Sequence, residues 1–258
     1  MTDASTQGRR DAGTWRRWAA IFGLAALAAC TTIAEPLRPA IYGYSLIVSD
    51  TVVGDTTIGG VDYFAGDTVT DTVDFHWPAS ALPVRIWVQD TVGLPGYAAA
   101  AIAEWKHILQ YGELDAVLVG DSATADVIVR GSAPAPAPAA RPAARRLHAA
   151  PAACEGGTDV FISAPDHTKL WLPVRVYVLP KYPVTLPETQ ACLARVTMHE
   201  LGHAFGLFRH SPDSLDLMYG FPDVDAPSEA DAATILILYH QASDLTPRPA
   251  TDTLPGGP

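Results

Sequence analysis

The sequence predicts an α+β fold, because segments with the period of a strand and one with the period of a helix follow one another between residues 82 and 130. Leu82–Val88 alternates apolar and polar residues, as a half-buried strand does. In Pro95–Gln110, large apolar residues recur at the spacing of one helix face. Leu114–Val119 and Asp126–Arg130 are two further predicted strands.

More strands and helices are predicted after residue 150, at Val160–Ser163, at Val174–Leu179, at Pro187–Phe205 and from Ser228 onward. The last helix has a clear start, since Ser228 and Asp231 have the spacing of a capping box. An apolar run, residues 235–239, follows that start and gives the helix a face to bury.

The stretch His199-Glu200-Leu201-Gly202-His203 carries the residue types of a metal site. Two histidines four apart lie on one helix face, about one turn from each other, so both imidazoles can reach one ion. Glu200 can hold a water beside that ion. Gly206 then offers a stop to the helix, since glycine adopts a left-handed cap without steric cost, and the chain can turn back to deliver His210. Three protein ligands and one open position are typical of catalytic zinc.

This stretch resembles the metzincin metallopeptidases, whose signature is H-E-x-x-H-x-x-G-x-x-H followed by a methionine in a tight turn. Four residues fall on the signature, namely His199, Glu200, His203 and Gly206. Leu217-Met218-Tyr219-Gly220 resembles the methionine turn. A His-Ser-Pro sequence before that turn is similar to the matrixin-like branch of the group.

The sequence departs from the signature at one position. Arg209 stands where the third histidine is expected, and arginine cannot lose its proton to become a ligand. His210 follows one residue later and is the preferred third ligand, because a loop beyond a helix end absorbs an insertion readily. Asp213 and Asp216 are the alternative third ligands.

The resemblance implies a single zincin-like domain. Its twisted, mostly parallel sheet would pack on an N-terminal helix and an active-site helix, and a smaller C-terminal subdomain would carry the methionine turn and the final helix. An edge strand, either Val160–Ser163 or Val174–Leu179, would bind an extended protein or peptide substrate. Phe221–Val224 would form the wall of the pocket beside the cleaved bond.

The resemblance also implies the roles of the site residues. His199, His203 and His210 would hold one catalytic Zn²⁺, Glu200 would be the general base, and Met218 would form an apolar floor under the metal. Matrixins carry additional structural zinc and calcium ions. His148 and His167 are candidate ligands of such ions, but the sequence has no matching spacing, so a structural Ca²⁺ or second Zn²⁺ is unsupported and we assign none.

Met1–Ala29 is predicted to be an export signal, with arginines followed by an apolar run that ends in small residues. Leu27-Ala28-Ala29-Cys30 resembles the bacterial lipobox, which implies that Cys30 is lipidated and that the protein is anchored in the cell envelope. Ordinary cleavage, giving a secreted protein, is the alternative. An uncleaved anchor is least favoured, because the apolar run is shorter than the roughly 20 residues that span a membrane.

Without Cys30, two cysteines remain, Cys154 and Cys192. An even number in an exported protein predicts one disulfide, and two buried free thiols are the alternative.

The catalytic domain is predicted at residues 76–242, and the composition of the other parts sets them apart. Residues 30–75, rich in Thr, Asp and Gly, are predicted to be a spacer, a small β extension or a propeptide. Residues 131–153, rich in Pro and Ala, are predicted to be a flexible loop inside the domain. Residues 243–258 are predicted to be a disordered tail.

The chain has 258 residues and a formal net charge of −11, which argues against a general role in binding nucleic acid. We expect a monomer that acts on protein or peptide substrates as a zinc endopeptidase. The alternatives are a non-catalytic, lipid-anchored metal-binding or interaction module on the same fold, and a structural protein whose histidines are merely buried. The intact Glu200 favours the enzyme, because a pure metal binder does not need that carboxylate.

Overall fold

The structure is a computed structural model that describes residues 42–58, 61–132, 145–149, 153–163 and 166–249. All of these residues belong to one compact unit, Pro39–Pro258. The predicted signal segment 1–29 and the predicted lipidation site Cys30 lie outside the described residues. In the part of the chain that is described, no helix has both the length and the apolar character needed to cross a membrane.

The described residues form an α+β fold with two sheets and three α-helices. The smaller sheet is an antiparallel hairpin of β1 (Leu46–Ile58) and β2 (Val61–Val73). The larger sheet has seven strands. They are β3 (Val84–Val88), β4 (Ala116–Val119), β5 (Val127–Arg130), β6 (Arg145–Ala149), β7 (Cys154–Ile162), β8 (Lys169–Pro180) and β9 (Thr246–Pro249).

The larger sheet has the strand order β4-β3-β5-β8-β7-β6, and β9 pairs with β8 outside that row. Strand β3 runs parallel to β4 and β5, and β8 runs parallel to β5 and β9. The antiparallel pairs in the described sheet are those of β7 with β8 and of β7 with β6. The sheet is therefore mostly parallel, in agreement with the predicted fold class.

The helices are α1 (Leu94–Ile108), α2 (Pro187–Ala204) and α3 (Glu229–Tyr239). Helices α1 and α2 pack together, and the indole N–H of Trp105 in α1 donates a 3.0 Å hydrogen bond to the Met198 carbonyl of α2. Helix α3 begins with the predicted capping box, in which Ser228 and Asp231 each accept a hydrogen bond from the other residue's backbone. All three helices lie within a few residues of the positions predicted from the sequence.

The prediction that Val160–Ser163 or Val174–Leu179 forms the edge of the sheet is wrong for the described sheet. The first segment lies mostly in β7 and the second in β8, and each of these strands has neighbours on both sides. The outer side of β7 pairs with β6, from Arg145 opposite Val160 to Ala149 opposite Gly156. Residues 145–149 therefore form a strand inside the segment that was expected to be a loop.

Core residues lie on both sides of the domain boundary expected at residue 76. The segment before that boundary contributes five buried side chains to the hydrophobic core, namely Tyr42, Tyr44, Val48, Val73 and Phe75. The Phe208 amide also donates to the Tyr44 carbonyl across 3.1 Å. In the predicted tail, Leu245 is buried and the next four residues form β9.

The predicted disulfide is confirmed, since Cys154 and Cys192 are bonded. Cys154 is the first residue of β7, and Cys192 lies in the first half of α2. The bond therefore ties β7 to the helix that carries the histidine motif.

Candidate metal centre

Two of the predicted metal ligands lie in the last two turns of α2. His199 and His203 are both fully buried, and their ring centroids lie 4.6 Å apart. The spacing of four residues puts both rings on one face of the helix, as the sequence predicts.

Gly206 ends this part of the chain with a sharp turn. Its φ is +117°, a conformation that favours glycine. A Cβ at this position would lie 1.9 Å from the carbonyl oxygen of Phe75, so no other residue fits there without moving the backbone. The chain turns back after Gly206, and this turn brings His210 to the two helix histidines.

The structure brings His210 into the site as the third histidine. One ligand nitrogen from each of His199, His203 and His210 lies within 4.8 Å of the others, which is close enough for all three to bind one metal ion. The Nε2 atoms of His203 and His210 are 3.2 Å apart. Nitrogen ligands of one tetrahedral zinc lie about 3.3 Å apart, since each Zn–N bond is about 2.05 Å long.

The other candidates for the third ligand have different roles. Arg209 lies against Gly43, and a Cβ added to Gly43 would lie 3.2 Å from the Arg209 guanidinium. Asp213 accepts a 3.0 Å hydrogen bond from the Leu215 amide. Asp216 accepts hydrogen bonds from the hydroxyls of Ser211 and Ser228.

Backbone carbonyls orient the two helix histidines. His199 Nδ1 lies 2.7 Å from the Leu217 carbonyl oxygen, and His203 Nδ1 lies 2.5 Å from that of Leu207. A carbonyl oxygen can only accept, so each Nδ1 carries the proton and each Nε2 keeps a lone pair. Burial lowers the pKa of His199 to about 3, which keeps this imidazole in the neutral form that binds metals.

A second observation suits the Nε2 atom of His199 to the role of a metal ligand. It is buried and has no hydrogen-bond partner among the described residues. A buried polar atom without a partner costs roughly 1–3 kcal/mol, so native structures rarely keep one. A metal ion would satisfy this atom, and the three-imidazole donor set suits zinc.

The methionine turn packs beneath α2. Met218 is fully buried, and a Cβ on Gly202 would lie 2.6 Å from its sulfur. Gly202 therefore gives Met218 the space to lie directly against the helix that carries the histidines. The Leu217 carbonyl of the same turn is the group that orients His199.

Asp231 of α3 holds the methionine turn in place through hydrogen bonds. Its carboxylate accepts hydrogen bonds from the amides of Leu217 and Met218, at 2.7 and 3.2 Å. The Tyr42 hydroxyl donates to the same carboxylate across 2.8 Å. Burial and the nearby Asp231 charge raise the pKa of Tyr42 far above its usual range, so this hydroxyl remains a donor. The sequence predicts Asp231 as a helix cap, and it gives no sign of this second role.

Glu200 lies between α2 and β7 and is fully buried. The Thr158 hydroxyl donates to Glu200 Oε2 across 2.7 Å. A Cβ on Gly156 would lie 2.5 Å from Glu200 Oε1. Sequence reasoning missed both neighbours. The pair Gly156-Gly157 within a strand was a possible signal, because glycine in a strand often marks the close approach of another group.

Comparison with models of protein families found no match for this chain, and comparison with curated proteins found no significant match. The functional inference therefore depends on the geometry of the site.

Proposed function

We propose that the protein is a zinc-dependent endopeptidase with a metzincin-type, matrixin-like catalytic domain. The convergence of three histidines, with a buried Nε2 of His199 that has no hydrogen-bond partner among the described residues, is the observation that carries this proposal. Glu200 follows His199 in the chain and supplies the carboxylate that a hydrolase needs.

His199, His203 and His210 would hold the zinc ion. When bound there, zinc supplies a Lewis acid that lowers the pKa of water and polarises a peptide carbonyl. Glu200 accepts the proton of the attacking water and then donates it to the amine that leaves. The carbonyls of Leu217 and Leu207 keep the helix histidines in the tautomer that presents Nε2.

The substitution Glu200→Gln in the full chain tests this mechanism. Glutamine keeps the size of the side chain but cannot accept the proton. We expect about one zinc per chain by metal analysis, as in the parent protein, and hydrolysis of a fluorogenic peptide library slower by roughly a thousandfold. The control His203→Ala should lose both zinc and activity.

Hydrolysis that persists in Glu200→Gln would exclude the mechanism. A parent protein that binds zinc but cleaves no peptide would instead favour the alternative, a non-catalytic metal-binding or interaction module on the same fold. Export and a lipid anchor at Cys30 remain predictions of the sequence.

A further inference from the structure

We propose that Thr158 is a positioning residue for the general base, which fixes the orientation of the Glu200 carboxylate by donating a hydrogen bond to one of its oxygens. This inference rests on the proposed peptidase function. It assigns a role to a strand residue that lies outside the histidine motif.

The contact between the two side chains is short and buried. Thr158 and Glu200 are both fully buried, and the hydroxyl lies 2.7 Å from Oε2 and 3.1 Å from the Glu200 backbone carbonyl oxygen. An ionised carboxylate can only accept, so the hydroxyl is the donor. A hydrogen bond to a charged acceptor is about twice as strong as one between neutral groups, so the nearer carboxylate oxygen is the preferred acceptor.

Gly156 provides the space for the second oxygen. A Cβ there would lie 2.5 Å from Oε1 and 2.8 Å from Cγ of Glu200, and 2.4 Å from Cγ1 of Val196. Any side chain at residue 156 would therefore push the carboxylate away. Gly156 therefore leaves room for Oε1, and Thr158 donates to Oε2.

Three alternate residues of β7 face α2 and fix the position of this strand. Cys154 is bonded covalently to Cys192, Gly156 allows close approach, and Thr158 donates the hydrogen bond. Residues two apart in a strand point to the same side, which explains how all three reach one helix. The donor is therefore held on a strand that is itself anchored to the helix of the general base.

Loss of the Thr158 hydroxyl should affect kcat more than it affects the binding of substrate or zinc. The terminal torsion of a glutamate has a broad distribution, so the carboxylate without this hydrogen bond can rotate away from the orientation that receives a proton. A displacement of about 1 Å of a catalytic group can cost roughly a hundredfold in rate.

The test compares Thr158→Val, which keeps the branched shape without the hydroxyl, with Thr158→Ser, which keeps the hydroxyl. For the full chain cleaving a fluorogenic peptide, we expect Thr158→Val to lower kcat by roughly 30- to 100-fold. KM and zinc content should stay within about twofold of the parent, and Thr158→Ser should retain at least about a third of the parent kcat. Equal losses in both variants, an effect on KM alone, or an unchanged kcat in Thr158→Val would overturn the proposal.

A double-mutant cycle separates this inference from the proposed function. Urea unfolding of zinc-free protein is measured for the parent, Thr158→Val, Glu200→Gln and the double variant. We expect Thr158→Val to change the unfolding equilibrium constant at least about fivefold less when residue 200 is already glutamine. Additive effects would overturn the positioning role alone, whereas a parent without peptidase activity would overturn both the proposed function and this role.

Discussion

At the scale of single residues, the site depends on groups that do not belong to the histidine motif. Leu217 and Leu207 orient the helix histidines through their carbonyls, and Gly202 admits Met218 beneath them. His210 is placed by the turn at Gly206. Such supporting contacts commonly change metal affinity by 10- to 100-fold when they are removed.

His210 comes one residue later in the chain than the third histidine of the signature, and the loop after Gly206 accommodates this shift. Its far end is fixed where the Ser211 amide donates to the Met218 carbonyl across 2.9 Å, and Ser211 forms a bridge with Tyr219. Between these two fixed points the loop can take an additional residue without moving α2.

The substitution His210→Ala should therefore weaken zinc binding by more than roughly a hundredfold, since loss of a ligand exceeds the loss of a supporting contact. Asp213→Ala is the matched control and should bind zinc like the parent, because Asp213 caps Leu215 and is not in the histidine cluster. Competition with a chromophoric chelator measures both affinities. Weaker binding in Asp213→Ala, with His210→Ala unaffected, would assign the third ligand to the aspartate.

At the scale of elements, α3 supports the methionine turn through its own cap. Asp231 accepts from the Ser228 amide as part of the capping box and also from the turn amides. Tyr42 reaches the same carboxylate from the segment before β1. The N-terminal segment, the final helix and the turn beneath the histidines therefore share one buried carboxylate.

Tyr42→Phe should lower the free energy of unfolding by about 1.5–3 kcal/mol, the usual range for a hydrogen bond to a charged group. Tyr44→Phe is a matched control in the same segment, since its hydroxyl donates to the neutral amide of Gln241, and it should cost about 1 kcal/mol. Urea unfolding of the two variants measures the difference. An equal or smaller loss in Tyr42→Phe would show that this link adds no stability.

Elements with their own periodic pattern could be predicted from the sequence, and those that depend on a partner could not. Helix α2 carries its apolar spacing and its glycine stop in the local sequence. Strands β6 and β9 have no such pattern, because Pro and Ala are frequent around β6 and Pro and Thr around β9. Their pairing comes from β7 and β8. Thr158 was missed for the same reason, since its partner Glu200 is 42 residues away in the chain.

At the scale of the whole molecule, the described residues of the larger sheet, the helices and the segment from Tyr42 share one hydrophobic core. The site lies where α2, β7 and the methionine turn meet beside this core, with His199 and His203 buried and His210 exposed. Its geometry therefore depends on long-range links, and the only disulfide in the described part of the chain is one of them.

The bond between Cys154 and Cys192 closes a loop with a sequence separation of 38. A loop of this length restricts the unfolded chain, so replacing both cysteines by alanine should lower the free energy of unfolding by about 4 kcal/mol. Urea unfolding measures this loss. Dithiothreitol should destabilise the parent to a similar extent and leave the double variant unchanged, which separates the covalent link from the effect of smaller side chains.

Because the bond holds β7 against α2, the double variant should also show a lower kcat than the parent at a urea concentration where both remain folded. A variant as stable and as active as the parent would mean that packing alone keeps Thr158 beside Glu200.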